Sequence, residues 1–168
     1  MKLIRWIALS LFVALAAAGC SGSDGGGEVD RPAKATTTTL TIEQEVEAAF
    51  RKYLEVGEDA YLRLDTARLG EVLAGARLVA FSRDIEKLKA DGTPLVTRME
   101  HNYKVIAGGL PGQVMLRDDV VNHSVLTDSS GKALEPDPNE RLIEIYTFER
   151  KDGAWKVVFA QRSRPDSQ

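Results

Sequence analysis

The chain has 168 residues, 43% of them hydrophobic and 28% charged, with a formal net charge of −3. That length suits one domain with appendages, the composition is that of an ordinary globular protein, and the charge offers no basic surface for nucleic acid. A single cysteine, Cys20, excludes a disulfide within the chain and any Cys-His metal cluster.

The first residues read as a targeting signal. Lys2 and Arg5 form a basic start, and Trp6 to Ala18 is an apolar run broken only by Ser10. As a helix this run spans about 20 Å, short of the roughly 30 Å hydrocarbon core, so it suits a signal-peptide core better than a permanent span. It ends in Leu15-Ala-Ala-Ala-Gly-Cys20, which resembles the lipobox of bacterial lipoproteins at Ala18, Gly19 and Cys20. The departure is at Ala17, where leucine is usual; Leu15 lies two residues too early. The resemblance implies that residues 1–19 are removed and that Cys20 is lipidated, holding the mature chain on the extracytoplasmic side of the cell membrane. The alternative is an ordinary secretory signal in which Cys20 is incidental. Residues 20–40 are rich in Gly, Ser, Thr and Pro and lack periodicity, as a flexible tether does; twenty such residues reach about 25 Å end to end.

The folded domain is expected over residues 41–162, followed by a short tail, 163–168. Thr41 with Gln44 three residues on offers a capping box. The helix that follows carries Ile42, Val46, Ala49, Phe50, Tyr53 and Leu54 on one stripe, which resumes beyond Gly57 at Ala60, Tyr61 and Leu64. Asp65 can cap a second, short helix bearing Leu69, Val72 and Leu73, ended by Gly75. A third helix places Leu78, Phe81, Ile85 and Leu88 on one face and stops at Asp91-Gly92-Thr93-Pro94. After Pro94 the period changes. Leu95 to Ile106 and Gln113 to Leu126 read as strands around a Gly-rich turn, Gly108 to Gly112, and residues 128–140 as a loop.

The last two strands, Arg141 to Arg150 and Trp155 to Gln161, flank Asp152-Gly153, a strong signal for a two-residue hairpin turn. With that turn Lys151 pairs with Ala154, Phe148 faces Val157 and Tyr146 faces Phe159. One face then carries Leu142, Tyr146, Phe148, Trp155, Val157 and Phe159. The other carries Ile143, Ile145, Thr147, Val158 and Ala160. Helices followed by hairpin-joined strands give an α+β domain, with N-terminal helices packed on one face of a four-stranded antiparallel sheet.

Three stretches carry a family resemblance: Leu69-Gly-Glu-Val-Leu-Ala-Gly75, the following helix to Lys89-Ala-Asp-Gly92, and Tyr146-Thr-Phe-Glu-Arg-Lys-Asp-Gly-Ala-Trp-Lys-Val157. Over about residues 41–161 the chain resembles the nuclear transport factor 2-like superfamily. Within it, the chain looks most like the intermembrane-space domain of the chloroplast division protein and its bacterial relatives. The resemblance implies a curved sheet and a cone-shaped cavity, used by some members as an active site (ketosteroid isomerases, scytalone dehydratases, SnoaL-like cyclases) and by others as a ligand site or simply filled. Fold alone does not choose among these.

Candidate chemistry is sparse. If the two middle strands pair with residue numbers summing to 220, His101 faces Asp119 with Tyr103 nearby, a set able to do acid-base work or to form a charged pair on a wet sheet face. A slip of one residue in the Gly-rich turn would undo that pairing. Asp118, Asp119, Asp128 and Glu135 match no cation-coordination spacing. Phe50, Tyr53, Tyr146, Phe148, Trp155 and Phe159 are expected as core or cavity lining. Ile143, Ile145, Val158 and Ala160 would form an apolar patch on the outer face, a candidate contact for a second copy or an envelope protein. The sequence therefore reads as a membrane-tethered, non-catalytic binding or scaffolding domain needing no cofactor. The alternatives are a cavity enzyme using His101, Asp119 and Tyr103, or a small-ligand carrier.

Overall fold

The structure, a computed structural model, describes residues 40–106 and 108–165. The signal, Cys20 and nearly all of the tether lie outside the described residues.

Helix α1 (Ile42–Arg63) starts at a capping box: the Thr41 side chain accepts from the Gln44 backbone N–H, and the Gln44 side chain accepts from the Thr41 N–H. It runs through Gly57 without a break and buries Val46, Phe50, Tyr53, Val56 and Ala60 along one stripe. The expected second helix is instead a single 3-10 turn, Leu69–Glu71. The chain beyond it is drawn out because it pairs with the last strand: the Val157 N–H donates to the Val72 carbonyl, and the Ala74 N–H donates to the Val157 carbonyl. Gly75, expected to end a helix, begins one. Helix α2 (Gly75–Asp91) buries Phe81 and Ile85 and closes on Gly92 in the left-handed region, φ 65°.

Each of the two middle strands breaks in two. β1 (Leu95–Val96) and β2 (Met99–Ile106) are separated at Thr97–Arg98, and β3 (Gln113–Asn122) and β4 (Val125–Leu126) at His123–Ser124. The breaks are matched, since the Arg98 N–H donates to Ser124 Oγ and the His123 N–H to the Arg98 carbonyl. β1 and β4 therefore peel away as a two-stranded sheet. The main sheet is antiparallel, in the order β2-β3-β5-β6, with β5 (Glu140–Lys151) and β6 (Ala154–Ser163) as its closing hairpin. Asp152 and Gly153 both have positive φ, 54° and 81°, as a tight primed turn requires.

Near that turn the expected register holds: Lys151 pairs with Ala154 and Phe148 with Val157. Between Thr147 and Phe148 it shifts, so that Thr147 faces Phe159 and Tyr146 faces Ala160. The extra residue on β6 is Val158, and a one-residue bulge exchanges the faces of everything beyond it. Phe159, expected in the core, is 56% exposed, and Ala160, expected outside, packs against the core. The outer apolar patch is altered accordingly. Ala160 leaves it, Ile143 is buried, and Ile145 and Val158 are half-buried.

The core lies between α1, α2 and the inner sheet face, centred on Phe50 and Phe148. Trp155 is half-buried at its edge, where its indole N–H donates to Glu45 over 2.9 Å and the Arg150 guanidinium lies 5.1 Å from its ring.

Candidate functional site

The inner face of the sheet is not uniformly apolar. His101, Asp118 and Glu144 point inward beyond the Phe50–Phe148 centre; with Arg77 of α2 and the more than half exposed Arg162, His101 and Glu144 give one end of the core a charged lining, Asp118 lying behind His101. A cavity of about 70 Å³ remains there, bounded by Tyr53, Gly57 and Tyr61 of α1, by Arg77 and Phe81 of α2, and by His101, Glu144, Tyr146 and Arg162 of the sheet. Exposed Glu58 stands at its rim. This volume matches a few atoms or two waters, well under the several hundred Å³ of a pocket for a drug-sized ligand.

Two hydrogen-bonded groups build the wall. Glu144 is buried and uses both oxygens: Oε2 accepts from the Tyr146 hydroxyl, and Oε1 accepts from Arg162 Nε at 2.5 Å. Asp118 is fully buried; it accepts from the Asn102 backbone N–H at 3.1 Å and lies 2.6 Å from His101 Nδ1. The proton of a neutral imidazole is thereby placed on Nδ1, leaving Nε2 as the basic nitrogen. Asp118 and Glu144 are directly opposite each other on β3 and β5. Their repulsion is offset by separate donors, His101 for one and Arg162 with Tyr146 for the other.

The tyrosines are held as phenols. Burial is the largest cause in each case: it raises the Tyr61 hydroxyl to about 12 and moves those of Tyr53 and Tyr146 well above the usual phenol value. Near neutral pH they therefore act as hydrogen-bond donors and acceptors without charge. Arg77 Nη2 donates to the Tyr53 hydroxyl at 3.3 Å, and its guanidinium lies 5.2 Å from the Phe81 ring centre.

Of the residues singled out from sequence as possible catalysts, only His101 reaches this cavity. β2 and β3 pair with numbers summing to 221, one more than expected, so His101 faces Val120 and Asn102 faces Asp119. Asp119 points outward, 44% exposed, and pairs with Arg117 at 2.8 Å. Tyr103 is on the inner face but packs on Phe50 with centroids 4.9 Å apart, and its hydroxyl accepts from Arg51. The one-step slip put Asp118 in the place expected for Asp119. Among the expected lining residues, Tyr53 and Tyr146 border the cavity, while Phe50 and Phe148 fill the core behind it. Sequence reading did not single out Arg77, Glu144 or Arg162. Two had a signal, a lone charge on an otherwise apolar face: Arg77 four residues before Phe81, and Glu144 between Leu142 and Tyr146; Arg162 had none, because it lies past the bulge and past the expected strand end. No group of three or more potential metal ligands clusters among the described residues.

Gly57 faces Phe81 at the cavity wall. A Cβ built there meets the Phe81 ring at 3.5 Å, an ordinary contact, and Gly57 lies in the interior of α1. Gly57→Ala is expected to raise stability by about 0.5–1 kcal/mol through reduced backbone entropy loss. Denaturant melts check this, and a decrease would show that the wall needs the bare backbone.

No family model matches the chain, and no curated protein matches it in sequence. Solved structures do resemble it. The intermembrane-space region of the chloroplast protein ARC6 superposes with a TM-score of 0.63 at 13% identity, covering 75% of this chain and 99% of that one. Aln2 from a Streptomyces species gives 0.50 at 16% identity, covering 73% and 92%. An NTF2-like protein from Cytophaga hutchinsonii gives 0.49 at 14%, covering 74% and 99%. At these identities the likeness to the first two concerns the fold alone: helices packed on a curved antiparallel sheet.

Proposed function

We propose that this chain is a lipoprotein, anchored through Cys20 on the extracytoplasmic side of the membrane, whose domain binds a small polar molecule without transforming it. The observation that supports binding is the charged lining of the cavity. A fold that only had to be stable would do as well with apolar residues there, since buried ion pairs are weak contributors to stability. The tether and the lipobox-like Leu15-to-Cys20 segment support the anchoring.

Two measurements test the reading. Native mass spectrometry of the full chain isolated from its own cells is expected to show a small non-covalent adduct; a bare mass under conditions that preserve weak complexes would count against binding. Cys20→Ser is expected to release the protein from membranes. Unchanged retention of the variant, together with a parent mass lacking acyl chains, would sink the anchoring.

One observation favours a second reading, a cavity enzyme. His101 with buried Asp118 has the geometry of an oriented base, with Nε2 available to accept a proton and Asp118 able to stabilise the imidazolium that results. In that reading Asp118, and not Asp119, is the partner of His101, and Asp118→Asn would reduce turnover far more than it weakens binding.

A further inference from the structure

Among the described residues, Arg77 alone carries a buried side-chain polar atom without a hydrogen-bond partner, its Nε. The hydrogen bond it does make, through Nη2, goes to a neutral phenol, Tyr53. Glu144 does not neutralise it, because both Glu144 oxygens are already occupied by Tyr146 and Arg162. Tyr53, Tyr61 and Tyr146 surround it as uncharged phenols. Glu58 at the rim is exposed, and its charge is screened by water. Arg77 also lies in the first turn of α2, which holds no acidic residue and whose N-cap, Ala74, makes no side-chain cap. That end of a helix disfavours a cation and favours an anion.

Nε itself is closed off, but the guanidinium borders the cavity and pairs with no carboxylate among the described residues, so an anion there would meet an unneutralised charge. Resting on the small-ligand reading above, we infer that the cavity recognises the carboxylate group of a small organic acid, held by Arg77. A guanidinium offers parallel N–H donors that match the two oxygens of a carboxylate. The volume of about 70 Å³ suits such a head with a short stem, and the ring of Phe81 with the edges of Tyr53 and Tyr61 gives the stem an apolar wall. Arg162 borders the same space and adds a second cation to it.

The test is calorimetric titration of the full chain with formate, acetate and propionate, alongside acetamide as the neutral counterpart and inorganic phosphate as a tetrahedral anion, at constant ionic strength. Saturable binding of at least one carboxylate is expected, at least tenfold tighter than acetamide or phosphate. Arg77→Lys, which keeps the charge but loses the paired donors, is expected to weaken it at least tenfold. Arg77→Met, which keeps the stem against Phe81, is expected to abolish it while leaving the ligand-free melting temperature unchanged or higher. Tighter binding of phosphate, full retention by Arg77→Lys, or a large fall in the ligand-free melting temperature of Arg77→Met would each overturn the inference. Binding of acetamide without any carboxylate would overturn it and leave the small-ligand reading standing. Failure of every probe would overturn it too, and the native mass measurement then judges the broader reading separately.

Discussion

Phe50→Ala lowers the unfolding free energy of the chain by about 3–5 kcal/mol, the cost of emptying a large aromatic site in a core. The upper half of that range is expected because the surroundings cannot close over the gap. Phe50 is fully buried, and five rings lie around it at centroid distances of 4.9 to 6.4 Å: Tyr53, His101, Tyr103, Tyr146 and Phe148. They come from α1, β2 and β5, and the two strands are held by their sheet pairing, so the gap can close only in part. Denaturant melts of the full chain measure the loss. Phe159→Ala is the control: 56% exposed on the outer face, it should change stability by less than about 0.5 kcal/mol. Equal losses at the two positions would mean that β6 carries no bulge and that Phe159 points inward.

That comparison also marks what could be read from the residues alone. The closing hairpin was legible at its tip, because Asp152 and Gly153 specify their own turn and the first pairs follow from it. The bulge was not, because Val157, Val158 and Phe159 are all good strand formers and an extra residue among them leaves no mark on the pattern. The β2–β3 turn is worse: Gly108, Gly109 and Gly112 all have positive φ, and several loop geometries satisfy the same residues. With aspartate at both 118 and 119, either register places a carboxylate on the inner face, so the chemistry near His101 survived an error of one residue while the residue carrying it did not. The second helix failed for another reason. Leu69, Val72 and Leu73 have helical spacing, but the backbone of residues 72–74 finds its partners on β6, and that long-range pairing is invisible locally.

Asp118→Ala is expected to cost about 2–4 kcal/mol, more than its size suggests. Hydrogen bonds to a charged group contribute roughly 1.5–3 kcal/mol each, and Asp118 makes two, to the Asn102 N–H and to His101. Against this stands a gain, since removing Asp118 relieves its repulsion with Glu144 directly across β5. The sum falls short of two full charged bonds for that reason. Asp118→Asn separates charge from shape. Its amide oxygen can still accept from Asn102, but the amide N–H₂ now meets His101 Nδ1, which must give up its proton to Nε2 and become the acceptor. The loss should therefore be smaller, about 1–2 kcal/mol, and nitrogen chemical shifts of His101 should report the change of tautomer. An unchanged tautomer in Asp118→Asn would mean that Asp118 does not orient the imidazole. An Asp118→Ala loss under about 0.5 kcal/mol would place the carboxylate outside the core and return the β2–β3 register to the pairing of His101 with Asp119.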